Sequence, residues 1–288
     1  MMISLPAKWI KEFSLKKGDE IDLIEVKDNL VISKEGVEER KKTEITLTKD
    51  KAGIRTLITN AYRSGYDIIK VNYINESQLE VIRNALRNYL LGYDITKKKK
   101  GFCIIENITE PSPQQFDALI NKIFFNIKEL ISLTKKRLEG KKVLEDFREI
   151  TLRIHQYDSF CRRVVAKRQK EVKDPTLFWT FQTLIVHGQR DLYHLNYFLD
   201  KNPVKASKET LSLLDSLLEL FNILVNGYIR KETSHLEKAH EMESNLIYDK
   251  AYSIISSKKG KECVVLHRIM DSIRNFYLAA SPLMGLLL

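Results

Sequence analysis

From Pro113 to near its end the chain repeats apolar residues with a period of about 3.6, and this sustained rhythm constrains its larger part to helix. Six long segments carry it: about 113–139, 143–170, 175–201, 207–231, 235–257 and 261–280. The breaks are Gly140, Asp174-Pro175, Asn202-Pro203, the Lys231 to Ser234 stretch and Lys259-Gly260. Short connections between helices of this length predict antiparallel bundles. The six segments divide into two sets of three. Val186-His187 followed by Asp191 aligns without a gap on Leu266-His267 followed by Asp271, and Tyr157-Asp158 aligns on Tyr248-Asp249. An internally duplicated three-helix unit is predicted, about 111–202 and 203–288. The apolar tail SPLMGLLL is too short to span a membrane and is expected to pack on the core or on a partner.

Ahead of the helical body the pattern differs. Residues 1–34 read as a small β-rich module. Ile3 to Pro6 looks like a strand end, and Ala7 to Phe13 form a short helix with Trp9 and Ile10 on one face. Lys16-Lys17-Gly18-Asp19 is a turn signal, and two runs around Asp28-Asn29 read as a hairpin. Residues 35–46 are charged, lack apolar periodicity and read as a linker. Residues 47–110 read as a small α/β connector: a helix at 51–64, a strand at 67–71, a helix at 76–91, then strands at 93–95 and 102–105 around Lys97-Lys98-Lys99-Lys100. That lysine run is expected to be the solvated tip of a hairpin turn. The predicted fold class is therefore α+β, mainly α.

Forty-eight Lys and Arg against 38 Asp and Glu give a net charge of +10. That balance favours acidic partners: nucleic acid, anionic lipid, phosphate-rich ligands or an acidic protein face. In the first fifty residues, however, the two signs nearly cancel. Cys103, Cys161 and Cys263 are odd in number and far apart, so reduced thiols in a cytoplasmic protein are expected. No run of 18 apolar residues and no signal-peptide core is present. No G-x-S-x-G, Gly-rich phosphate loop, H-E-x-x-H or Rossmann fingerprint is present, so no enzyme activity is expected. With only 11 glycines, backbone phosphate cradles are not expected either. The aromatic residues Phe178, Trp179, Phe181, Tyr193, Tyr197 and Phe198 stand at helical spacing and read as bundle core or dimer interface.

These residues carry two resemblances. Ser4 to Leu23 resembles the AbrB/SpoVT/MazE swapped-hairpin module, through Ser4, Leu5, Pro6, Trp9, Leu15, Lys17, Gly18 and Asp19. It is especially similar to the version at the front of archaeal PhoU-like proteins. The order of the later elements, with Gly65-Tyr66-Asp67 before a strand and then a helical body, also resembles that family of phosphate-uptake regulators. The resemblance implies a PhoU-like body of two three-helix bundles. It also implies a homodimer through the N-terminal module, and a phosphate transporter or signalling component as partner. The alternative it carries is an AbrB-type transcription regulator touching DNA through Lys8, Lys11, Lys16 and Lys17. The family usually has one more N-terminal strand. Because this chain starts at Met1-Met2-Ile3, that strand is expected to be missing and DNA binding to be weak.

PhoU proteins hold multinuclear metal clusters on paired acidic residues one helical turn apart. Here the second acid of each pair survives as Asp158 and Asp249, whereas the first is Ile154 or Asn245. The third-helix pattern is altered to His187 with Asp191, and His267 with Asp271. At i and i+4 each pair shares one helix face. A divalent metal or iron held by His187, Asp191, His267 and Asp271 with Asp158 or Asp249 is the sharper expectation. A hydrogen bond from each histidine to its aspartate in a polar seam is the plainer one.

Overall fold

The computed structural model describes residues 4–12, 14–19, 21–26, 29–34, 40–48, 53–109, 111–170 and 172–288. The strand end expected at Ile3, the turn at Asp28 and the first part of the expected linker, 35–39, lie outside them. The chain forms two compact units, Met1–Lys42 and Thr43–Leu288. It is mainly helical, with a small N-terminal sheet.

In the smaller unit, helix α1 (Ala7–Glu12) precedes an antiparallel hairpin of β1 (Ile21–Val26) and β2 (Asn29–Lys34), in a register that pairs Ile21 with Lys34 and Val26 with Asn29. The turn between helix and hairpin is built by two residues. Gly18 takes φ +99°, a left-handed conformation that side chains resist. Asp19 accepts a hydrogen bond from the Lys16 backbone N at 2.9 Å.

Strand β3 (Lys42–Thr46) falls almost wholly in the larger unit and corrects the expected linker. Its alternation is hidden by charge: Lys42, Glu44 and Thr46 are exposed while Thr43 and Ile45 are half-buried. As an edge strand it tolerates that composition. Asn72 donates to Glu44 and Thr46 at 2.6 and 3.2 Å, which ties it to β4 (Ile68–Asn72). The sheet order is β3-β4-β6-β5, with β5 (Tyr93–Lys99) and β6 (Phe102–Asn107) forming an antiparallel hairpin. Lys97, Lys98 and Lys99 therefore lie in β5 rather than in the turn, which is Lys100-Gly101. Lys98 pairs with Glu76 at 3.0 Å. Helices α2 (Ile54–Arg63) and α3 (Glu76–Tyr89) bury Ile58, Tyr62, Leu79 and Ile82 with Ile69, Val71 and Ile105 of the sheet.

The helical body comprises α4 (Phe116–Leu138), α5 (Phe147–Ala166), α6 (Pro175–Lys201), α7 (Lys208–Arg230), α8 (Ser234–Glu243), a π-helical stretch Ser244–Ala251, α9 (Tyr252–Ser257) and α10 (Lys261–Leu287). Asp174, among the expected breaks, is visible as a cap, and Asp146 and Ser207 cap two further helices. Asp146 accepts from Arg148 N, Asp174 from Thr176 N and Leu177 N, and Ser207 from Thr210 N. Helix α6 packs most extensively on α10, α4 packs on α7, and α5 packs on α4 and α6. Helix α10 runs past the expected end near residue 280, through Pro282. Burial of Leu283, and the close approach of Gly285 to Leu177, outweigh the hydrogen bond that the proline removes. No helix among the described residues is long and apolar enough to cross a membrane.

Helix α5 also packs against α2 and α3. The joint is riveted by Arg163, whose side chain is fully buried. Its guanidinium donates to the carbonyls of Tyr62 and Tyr66 at 3.2 and 2.9 Å and to the Asp67 carboxylate, and it lies 5.2 and 5.1 Å from the ring centres of Tyr62 and Tyr93. Lys167 adds a second cation to Asp67 at 3.0 Å.

Candidate functional site

The joint between α2, α3, α5 and α6 leaves a cleft of about 370 Å³. Each helix lines it with one stripe. Helix α2 contributes Arg55, Thr59 and Arg63, four residues apart; α5 contributes Arg148, Thr151 and His155; α6 contributes Arg190, Tyr193 and His194. Tyr89, the last residue of α3, closes one side. Spacings of three and four put each set on a single helical face.

Four guanidinium groups line the cleft, and among the described residues the lining contains no Asp or Glu. Arg55 donates to the Tyr89 hydroxyl at 3.2 Å and lies 5.3 Å from its ring centre. The Tyr89 ring in turn stands 5.8 Å from that of His155. Arg63 is held from behind, by Ser159 Oγ at 3.2 Å and Asp158 Oδ2 at 3.1 Å. Arg148 and Arg190 are exposed and have no ion pair among the described residues. Thr151 accepts from Gln189 at 2.8 Å, while the buried hydroxyl of Thr59 has no hydrogen-bond partner.

The histidines register this surplus of positive charge. Burial pushes His155 down to about 4. Asp158 opposes the shift, and the charges of Arg63, Arg190 and Arg55 reinforce it. Burial also lowers His194, assisted by Arg268 and Arg190. His155 is therefore a neutral imidazole near pH 7, so the guanidinium groups carry the cleft's positive charge.

The residues singled out as metal ligands do not converge, and among the described residues no group of three or more His, Cys, Asp or Glu is placed to hold a metal ion. Asp158 is buried beneath the cleft, where Arg162 Nε grips both of its oxygens at 2.9 and 3.0 Å alongside Arg63. Its positive partners are guanidinium groups. Asp249 is exposed, on the π-helical stretch. Asp191 and Asp271 do approach each other across α6 and α10, but Arg268 stands with them, at 3.3 and 3.8 Å. Asn275 also donates to Asp191 at 2.9 Å. Burial and Asp271 raise the Asp191 carboxyl above its ordinary value. The exposed His267 lies 3.3 Å from Asp271; His187 is exposed, and Asp191 is engaged by α10 instead.

The aromatic group also divides. Phe178 and Phe181 are core, Trp179 lies under Arg162 at 4.9 Å, Tyr193 lines the cleft and Tyr197 is exposed. Cys103 and Cys161 are buried free thiols, and burial pushes Cys103 up to about 11. In the smaller unit Lys8, Lys11, Lys16 and Lys17 are all exposed, with Gly18 and Asp19, while Leu5 and Trp9 are half-buried.

Sequence reasoning missed the cleft. Its signal was present as cationic and aromatic residues repeating at helical spacing on α2, α5 and α6. One helix at a time, such a stripe reads as a solvated face.

Residues 2–49 match the family model described as Antidote-toxin recognition MazE, bacterial antitoxin. Neither the curated proteins nor the solved structures yielded a match to the chain. The likeness of the helical body to phosphate-uptake regulators gains no support from these comparisons. The N-terminal part of the chain, residues 2–49, is similar to MazE-type, AbrB-like modules.

Proposed function

We propose that the chain is a non-enzymatic regulator acting as a homodimer. The MazE-type module pairs two chains and contacts a protein target, and the larger unit senses an anion in its arginine-lined cleft. The module match at residues 2–49 carries the regulatory reading, because modules of this kind serve regulation. A two-stranded hairpin with a six-residue helix is too small to bury a core of its own, which supports pairing. A protein target is favoured over DNA because residues 1–42 hold nine Lys and Arg against nine Asp and Glu. The whole surplus of +10 therefore belongs to residues 43–288.

Light scattering on the full chain is expected to give twice the 33.6 kDa chain mass; a monomer at micromolar concentration overturns the dimer. Isothermal titration with pyrophosphate tests the cleft. Binding that is lost on replacing both Arg148 and Arg190 with Gln supports the reading, and absence of binding to the native chain removes it.

A second reading, DNA binding, is favoured by the exposure of Lys8, Lys11, Lys16 and Lys17. A narrower form of the first, control of phosphate uptake, draws on the pairing of α4 with α7 and of α6 with α10. A duplicated triplet of helices would pair its members in this way.

A further inference from the structure

We propose that the cleft between α2, α5 and α6 is a binding site for a free nucleoside mono- or diphosphate, with its phosphates on the arginines and its base against the tyrosine and histidine rings. This rests on the anion-binding reading of the cleft and goes beyond it in naming the ligand class.

Size is the first argument. About 370 Å³ falls within the range of small-molecule sites and greatly exceeds the space filled by one inorganic phosphate. Chemistry is the second. Among the described residues the lining combines guanidinium groups, without carboxylates, and four aromatic rings, Tyr89, His155, Tyr193 and His194. Arg148 and Arg190 have their forks uncommitted, and that geometry matches phosphate oxygens two at a time. Tyr89, Tyr193 and His155 are half-buried, so part of each ring remains open to a partner, and aromatic faces stack nucleobases of any sequence. Thr59, 7% exposed, lines the same cleft, and its buried hydroxyl has no hydrogen-bond partner among the described residues. A bare anion accounts for the arginines alone, and an uncharged aromatic ligand for the rings alone.

Isothermal titration of the full chain in magnesium-free buffer, with ADP, AMP, adenosine, pyrophosphate and inorganic phosphate, tests this. ADP or AMP is expected to bind at least about tenfold more tightly than pyrophosphate, through the base contact, with adenosine weaker still. Tyr193→Leu is expected to bring ADP to the pyrophosphate level and leave pyrophosphate unchanged. Arg148→Gln with Arg190→Gln weakens both ligands by about tenfold or more. Both arginines are exposed and unpaired, so these variants retain the fold, as circular dichroism will verify. Equal binding of ADP and pyrophosphate overturns the nucleotide while leaving the anion reading intact. Adenosine binding as tightly as ADP overturns both the role of the arginines and the proposal. Absence of binding by every probe removes both readings.

Discussion

Asp158 shows how a residue conspicuous in the sequence acquires its role from neighbours far away in the chain. Its carboxylate is buried, and Arg162 from its own helix and Arg63 from 95 residues earlier share it. Removing one partner of such a cluster strands the others' charge, so Asp158→Asn is expected to cost roughly 3 kcal/mol, measured as a drop in the urea midpoint. A cost below about 1 kcal/mol would show that the arginines find solvent unaided. His155 offers a test of sign. Its folded value of about 4 lies below the ordinary value near 6.5, so the unfolded chain takes up a proton first as pH falls. Stability from this group is complete above about pH 6.5 and declines between 6.5 and 4, by roughly 2 kcal/mol at pH 5. Urea titrations at pH 7.5 and 5.0 should show that loss, and His155→Gln should remove it. An unchanged pH dependence in the variant would assign the loss elsewhere. The chemistry of these side chains was legible in sequence, but their partners were not. The sequence marks Asp158 as a candidate metal ligand, yet nothing near it in the chain announces Arg63.

Among elements, the contact of α6 with α10 depends on Gly188. A Cβ there would stand 2.6 and 3.0 Å from Cδ1 and Cζ of Phe276, and closer still to Cε1, and that ring is fully buried. Ser272 also donates to the Gly188 carbonyl at 2.9 Å, which holds the helices at this approach. Gly188→Ala is expected to destabilise by about 1–3 kcal/mol, and combining it with Phe276→Leu should recover part of that loss. Simple additivity in the double-mutant cycle would show that the two sites do not meet. The joint of α5 with α2 and α3 has its own test. Arg163→Met keeps much of the side chain's length but takes the guanidinium from Asp67 and leaves it the Lys167 ammonium. A loss of roughly 3 kcal/mol is expected, with weaker pyrophosphate binding because the cleft lies along the same joint. Unaltered binding in a folded variant would separate the cleft from the rivet. Helix boundaries were readable because Asp174-Pro175 and Gly140 act locally, as a cap and a left-handed turn. Strand β3 was not, since an edge strand needs little apolar alternation and Lys42–Thr46 shows almost none. The continuation of α10 through Pro282 was hidden for a related reason: the contacts that sustain it come from elsewhere in the chain.

At the scale of the whole molecule, charge and size separate the two units. The smaller one is electrically balanced, and the larger holds the entire positive surplus. The hairpin pattern and turn of the smaller unit were legible because they are local; its want of a core supports the proposed pairing with a second chain. Charge then decides between its targets. If the module grips duplex DNA, its four exposed lysines, doubled in the dimer, neutralise up to about eight phosphates. Replacing Lys8, Lys11, Lys16 and Lys17 with Ala would then flatten the slope of log affinity against log salt by up to about 7. A protein target predicts otherwise. Any duplex binding then comes from the larger unit, shows no sequence preference, and keeps its slope within about one unit in the quadruple variant. Fluorescence anisotropy between 50 and 200 mM salt reads both quantities. The lysines lie outside the larger unit and its cleft, so pyrophosphate binding by the same variant should be unchanged. A steep native slope that collapses in the variant would therefore reverse the preference for a protein target and leave the sensory cleft standing.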